Sequence, residues 1–421
     1  MCASVVWSDS PLVVAYRAQR EKVLGALGRY RFYVYAGPAV DAVTVSVIEG
    51  RRRHEIAEET AEVWVHRALL ASSRRTLDPW EAEVFFVPAY LRLASRAKVE
   101  TMLGNVTASP WFRRRGGRDH VFGYSSWNPA TARQIGMDLV SRALPVSFRG
   151  AFEVNPAWVQ VSSRDRESLD RIIAMPYVVD AQLFFGEGHS FEKDISVFFA
   201  ARDRPNAIKW GNCDRSKAAG LSNLDDRASI HVHRRLVSME KFASSMHRAE
   251  YCLVMCGDTP TSRRLFDAIV AGCVPLVVGT RLEGRCESPC KSGWGWFVSG
   301  PDHPHLPFHD IYVDYTVFPR VDEARFYENP RAAVRAALVL VSPQRHAHLV
   351  AYMREISDDL VYGYGHFSTS THFGRAPANL MDTAVLRNRR EDNNSILLRP
   401  DFFNDDDKTP ASHEVGSGPV L

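Results

Sequence analysis

Short apolar runs alternate with stretches of helical periodicity along most of this chain. RFYVYAG (31–37) is an aromatic run that ends in a Gly–Pro turn and predicts a strand. EIAEETAEVWVHRALLASS (55–73) spaces its apolar residues three and four apart and predicts a helix. AEVFFVPAY (82–90) reads as a buried strand stopped by Pro88, and DHVFGYS (119–125), RIIAMPYVVD (171–180) and DISVFFAAR (194–202) as further strands. HVHRRLVSMEKFASSMHRAEYCLVMC turns helical in its second half and closes on a strand at YCLVM (251–255), and another follows at VPLVV (274–278). Beyond residue 321 the pattern is mostly helical, with interruptions at Pro330 and Pro343. Strands alternating with helices imply α/β architecture with parallel sheets covered on both faces.

The segment between the last two strands carries the most chemistry. CGDTPTSRRLFDAIVAGCVP (256–275) predicts a loop and then a helix, with Thr259 as N-cap, Pro260 at the first helical position and Gly272 ending it. Gly257, Asp258 and Thr259 occupy the turn at the carboxyl end of a strand, where ligands bind in open α/β sheets. Arg263 and Arg264 oppose the helix dipole unless an anion such as a diphosphate sits nearby. Asp267, one turn on, is placed to accept from ribose hydroxyls. Alternatively, Arg263 and Asp267 form an i,i+4 surface pair worth a few tenths of a kcal/mol.

Composition narrows the classes. The chain has 421 residues, 45% hydrophobic and 24% charged, which suggests two domains. A net charge of +3 calls for neither nucleic acid nor an anionic membrane. Of seven cysteines, Cys252, Cys256 and Cys273 lie in apolar runs and read as buried thiols. Cys286 and Cys290 fit a disulfide in an oxidising compartment; a zinc site there would need His303 and His305 as well. No apolar stretch reaches the roughly 18 residues of a membrane span, and the opening MCASVVWSDSPLVV reads as neither signal peptide nor anchor. The chain as given therefore reads as soluble, or as lacking its true N-terminus. Asn105–Val106–Thr107 and Asn393–Asn394–Ser395 match the N-glycosylation pattern, and residues 396–421 have the composition of a disordered tail.

GDTPTSRRLFDAIVAGCVPLVV resembles the signature segment of the exostosin-like glycosyltransferases, roughly GDTPSSRRLFDAIVSGCVPVIV. RFYVYAGP, AEVFFVPAY, GGRDHVFGYS, MPYVVD, SVFFAARDR, MHRAEYCLVMCGDTP and LPFHDIYVDYTVF resemble further segments in the family's order, over about residues 31–320.

The resemblance implies a GT-B fold, two Rossmann-like domains facing across a cleft. The expected division is an acceptor-side domain at 27–190, then a nucleotide-sugar domain with trailing helices at 191–395. It also implies an inverting transferase that moves a sugar from a nucleotide-sugar donor, here a UDP-sugar, to a polysaccharide or glycoprotein glycan. Residence would be the Golgi membrane or lumen, with hetero- or homo-oligomers of related transferases. No metal and no other cofactor is expected. The leaving diphosphate would be stabilised by Arg263, Arg264 and Ser262, then by Arg204 and Arg215. Candidates for the base that deprotonates the acceptor are Asp119 and His120, His309 and Asp310, and Glu187 or His189.

The chain departs from the family pattern where the base matters. His309 stands where the family's LPFE has glutamate, and SWNP follows GYS where a His–Asp is common. Those departures also suit a non-catalytic subunit that binds nucleotide or glycan and supports an active partner. RRRGGR (113–118) reads as a solvated turn or as a contact for an acidic polysaccharide. WGWF (294–297) offers aromatic faces to a sugar or to a core. An epimerase-type reading needs a G-x-G-x-x-G after an early strand, and none is present.

Overall fold

A computed structural model of the chain describes residues 10–38, 60–91, 94–124, 146–152, 171–184, 192–202, 214–233, 237–255, 262–279, 306–309, 311–364 and 370–393. It contains two parallel sheets. The first has the order β2-β1-β3-β4-β5-β6, from β1 (Phe32–Val34), β2 (Arg75–Thr76), β3 (Val84–Val87), β4 (His120–Tyr124), β5 (Phe148–Ala151) and β6 (Ile172–Ala174). The second runs β11-β10-β9-β7-β8, from β7 (Ile195–Arg202), β8 (Ser229–His233), β9 (Ala249–Val254), β10 (Val274–Gly279) and β11 (Arg320–Asp322). Every strand pair is parallel. Each sheet reverses its order once, between β1 and β3 and between β7 and β9, as doubly wound sheets do. This is the GT-B class of architecture that the resemblance implied.

The helices are α1 (Pro11–Leu27), α2 (Ala61–Ala71), α3 (Arg96–Ala108), α4 (Pro110–Arg115), α5 (Met239–Arg248), α6 (Arg263–Val270), α7 (Glu323–Glu328), α8 (Pro330–Val339), α9 (Pro343–Ser357) and α10 (Ala376–Asn393). The two interrupting prolines prove to be first helical residues. Asn329 caps α8 ahead of Pro330, and Ser342 caps α9 ahead of Pro343. The strand expected at 251–255 is β9 and that at 274–278 is β10. The helix between them starts at Arg263 and is capped by Ser262, so the expected cap at Thr259 is corrected by three residues. Gly272 follows the helix with φ of 68°, the left-handed conformation expected of its position.

The expected division at residue 190 assigns the trailing helices to the second sheet. The last of them instead returns to the first: α10 packs on α2, β3 and β6. Two buried carboxylates tie this return together. Asp359 accepts from Arg20 at 2.7 Å, from Arg375 at 2.7 Å and from the Tyr16 hydroxyl. Asp382 accepts from Tyr30 at 2.6 Å, from Tyr312 at 2.8 Å and from Arg74 at 2.6 Å. Removing either carboxylate strands several donors at once, which is why a buried charge is tolerated here. One continuous apolar core consequently reaches from β1 and β3 through β7, β9 and β10 to α10.

The cysteine reading also needs correction. Cys252 and Cys273 are not thiols but a disulfide, with Cα atoms 5.7 Å apart. Cys252 lies in β9 and Cys273 just ahead of its neighbour β10, so parallel pairing brings together two residues 21 apart in sequence. Cys256, Cys286, Cys290, His303 and His305 lie outside the described residues. So do the residues of WGWF, all but the first residue of the Asn393 sequon, and the tail from 396. Asn105 is exposed on α3. No helix among the described residues is long and apolar enough to cross a membrane.

Candidate functional site

The second sheet reverses between β7 and β9, so the loops leaving these two strands define its crevice. α6 follows the β9 loop and is the helix that begins there. Its apolar stripe, Leu265, Phe266, Ile269 and Val270, is buried and fixes its orientation. Arg264 ties the start of α6 to β7: its Nε donates to the Ala200 carbonyl at 3.0 Å, and its guanidinium lies 5.6 Å over the Phe199 ring. Arg263 donates from Nε to Asp267 Oδ2 at 3.1 Å. Both arginines are half-buried, so two cations stand at the first turn of a helix that opens at the switch point.

The geometry alters two expected roles. Ser262 is buried and its Oγ accepts from the Arg264 N–H at 3.3 Å, while the Ser262 carbonyl takes the Leu265 N–H at 3.2 Å. The first turn is therefore largely closed by its own cap, and an anion there falls mainly to the arginine side chains. Asp267 is 1% exposed. It is neither half of a surface pair nor open to a ribose; it lies beneath Arg263 and orients that side chain.

Gly257, Asp258, Thr259 and Arg204 lie outside the described residues. Arg215 opens the 3-10 turn Arg215–Leu221, which packs on β8 and α8 and lies beside Tyr327 of α7. Sequence reasoning passed over Glu323. It begins α7 at the carboxyl end of β11, half-buried, with its carboxyl pushed up first by burial and then by Asp322.

Asp119 and His120 sit at the amino end of β4, both fully buried. Asp119 accepts from His120 Nδ1 at 2.8 Å and from Arg114 at 3.0 Å, and His120 Nε2 meets the Tyr35 hydroxyl at 2.8 Å. Phe85 stacks on the imidazole at 4.7 Å, and Phe112 packs edge-on at 4.9 Å. Burial pushes the Asp119 carboxyl up, but His120 and Arg114 outweigh it and hold it below the usual range; burial also lowers His120. A base must touch the acceptor hydroxyl. This pair is fully buried at the strand end opposite the crevice, away from any acceptor held there, and that corrects the catalytic expectation for it.

His309 is half-buried. Its Nδ1 lies 3.0 Å from the Val313 carbonyl, which only accepts, so in the neutral ring Nδ1 carries the proton and Nε2 the lone pair. The ring is held by a compact turn in which Phe308 adopts φ of 57° and its carbonyl receives the N–H groups of Ile311, Tyr312 and Val313. Asp310, Glu187 and His189 lie outside the described residues.

The first sheet has its own switch point, between β1 and β3. Tyr90, just past the carboxyl end of β3, holds φ of 47° and shares a 2.7 Å hydrogen bond with His66 of α2. Glu62, also on α2, is buried close to Gly123 near the carboxyl end of β4. The strained tyrosine ends a run whose pattern announces only a strand, and the buried carboxylate lies in one whose periodicity announces only a helix.

Among the described residues no group of three or more metal-ligating side chains converges. Two doubly wound parallel sheets, with two arginines at the switch point of the second, define an α/β pair of GT-B type. Residues 28–333 match the Exostosin GT47 domain, and the chain belongs to that family. It is 27% identical over 286 residues to a probable glucuronoxylan glucuronosyltransferase of Arabidopsis thaliana, covering 62% of this chain and 58% of that protein. A probable arabinosyltransferase of the same plant is 26% identical over 300 residues, covering 67% and 58%. A probable beta-1,4-xylosyltransferase, also from Arabidopsis thaliana, is 25% identical over 313 residues, covering 66% and 70%. The chain thus spans less than two thirds of the length of the first two relatives.

Proposed function

We propose that the chain is an inverting glycosyltransferase that moves a sugar from a nucleotide-sugar donor, a UDP-sugar, to a polysaccharide or glycoprotein glycan. The observation that carries this reading is the pairing of Arg263 and Arg264 at the first turn of α6, between the loops of β7 and β9. Developing charge on a leaving diphosphate is stabilised there by fixed cations, which act at little reorganisation cost. Asp267 keeps Arg263 aimed, and the ribose hydroxyls fall to Glu323. His309 Nε2 is the base, and the residues at 27–190 hold the acceptor. The relatives' names support the class without fixing the sugar. The Cys252–Cys273 disulfide supports residence in an oxidising compartment such as the Golgi lumen, where oligomers with related transferases would form.

A thermal-shift and donor-hydrolysis panel of UDP- and GDP-sugars tests this, with wild type, Arg263→Ala and Arg264→Ala. One UDP-sugar should raise Tm and hydrolyse slowly, and both variants should lose the shift. No shift with any donor would overturn the nucleotide site. The rival reading, a non-catalytic subunit, draws on the burial of Asp119 and His120 and on His309 replacing glutamate. It predicts an arginine-dependent shift with no turnover in the presence of glycan acceptors.

A further inference from the structure

Helix α3 carries the sequon Asn105–Val106–Thr107. Its apolar face, Val99, Met102, Leu103 and Val106, is buried in the cluster that holds Phe85 and Val87 of β3 and Phe122 of β4. Asn105 stands on the other face. It is exposed, as are its small neighbours Thr101, Gly104 and Ala108, so the stem of a bulky group has room beside it. The helix is entered from the carboxyl end of β3 and runs back along the sheet. It leads into α4, whose Arg114 meets Asp119 at the amino end of β4 at 3.0 Å. Asn105, in the last turn of α3, therefore lies toward the end of the first sheet away from its switch point.

A second, independent observation concerns the compartment. The Cys252–Cys273 disulfide belongs to an oxidising lumen. In eukaryotes the same route carries chains past the machinery that glycosylates Asn-x-Ser/Thr segments. The fold also sets the order of events. Thr107 Oγ1 donates to the Leu103 carbonyl at 2.9 Å and to the Gly104 carbonyl at 3.2 Å. Residues two apart on a helix do not face each other. The amide and the hydroxyl of the sequon can act together only before α3 has formed.

We propose that Asn105 is an N-glycosylation site, modified on the unfolded chain and then displayed by α3 at the back of the first sheet. It rests on the reading that places the chain in the secretory lumen. The donor is a lipid-diphosphate-linked oligosaccharide. A bond forms between the Asn105 side-chain nitrogen and the anomeric carbon of the first sugar, and the bond from that carbon to the diphosphate oxygen breaks. The displaced amide proton passes to a base of the transferring enzyme, and the lipid diphosphate leaves. A glycan so placed leaves the carboxyl ends of the strands open and keeps the outer face of α3 out of any interface with related transferases.

The full chain isolated from its own cells tests this. Protease protection in sealed vesicles reports the compartment. Peptide N-glycosidase A in heavy-oxygen water converts each glycan-bearing asparagine to labelled aspartate, read by mass spectrometry against a sample without the enzyme. The chain should be protected and Asn105 labelled. A protected chain with Asn105 unlabelled, including one labelled at Asn393 alone, overturns the site and leaves the secretory reading standing. An unprotected chain overturns both. Expressed in the same cells, Asn105→Gln and Thr107→Ala should each lose the Asn105 label, whereas Thr107→Ser, which keeps the sequon, should retain it. A label that survives Thr107→Ala overturns the sequon as its cause. Folded, unmodified chain presented to the transferring enzyme and its lipid-linked donor should stay bare, and its modification would overturn the order of events.

Discussion

Arg263 caps a carboxylate that the solvent does not reach: its Nε lies 3.1 Å from Asp267 Oδ2, and the aspartate side chain is 2% exposed. An i,i+4 pair on a helix surface contributes a few tenths of a kcal/mol. With one partner buried, the pair instead fixes where Arg263 points. Asp267→Ala should therefore cost about 1.5–3 kcal/mol in urea unfolding, the range for a hydrogen bond to a charged group. The same variant should weaken the donor-induced shift while Arg263 is still present. Unchanged donor affinity in a folded Asp267→Ala would remove the aspartate from any positioning role.

The disulfide encloses the segment proposed to hold the donor. Cys252 and Cys273 close a loop containing the residues between β9 and α6, α6 itself and its C-cap. Cross-linking a loop of this size stabilises by about 3 kcal/mol through the unfolded chain. Cys252→Ala with Cys273→Ala should lower the urea midpoint and steepen the slope, because the uncrosslinked unfolded chain exposes more surface, and reductant should reproduce the effect in wild type only. A double variant as stable as wild type, with or without reductant, would show that the bridge is absent in solution.

The strongest sequence signals were those in which one physical cause acts locally. The runs at 82–90, 194–202 and 251–255 are apolar because their strands are covered on both faces, and they appear as β3, β7 and β9. β5 gave no such signal, because FRGA places Arg149 inside the sheet and a glycine under Met175; a Cβ at Gly150 would meet that sulfur at 2.7 Å. β2 and β11 are too short for a period to show. The disulfide depends on strand pairing, and the burial of Asp119 and His120 depends on α4 lying over β4, neither of which spacing along the chain can express. Arg263 and Arg264 were legible because cations at a helix start oppose the dipole. Glu62, Tyr90 and Glu323 were not, since each has its meaning only from the strand end it occupies.

His66 gives the fold a dependence on acid. It is buried, and desolvation first, then Arg75, push its imidazole down from 6.5 to about 4. The unfolded chain takes up a proton near pH 6.5, whereas the folded chain resists until about pH 4, so stability falls as pH drops through that window. The full loss is about 3 kcal/mol. His66→Gln, which cannot titrate, should flatten this part of the stability–pH curve, and urea melts at pH 7, 5.5 and 4.5 measure it. A curve of equal slope in the variant would assign the acid sensitivity to other groups.

His309 offers the sharpest test of catalysis because the alternatives move different readouts. Its Nδ1–H is committed to the Val313 carbonyl, which leaves Nε2 to accept a proton. A general base contributes about 10²–10⁴-fold to rate. His309→Ala should lower kcat by that order while the donor-induced thermal shift persists. His309→Gln can still donate to Val313 but cannot accept a proton as a base, so it should preserve Tm and share the loss of kcat. His309→Glu restores the family's residue at this position and should retain measurable turnover. If His309→Gln turned over at the wild-type rate, the proton would have to leave through another group, and Glu62 would be the next to replace. If instead Tm fell in His309→Gln as far as in His309→Ala, the imidazole would be holding the Phe308 turn rather than serving the reaction.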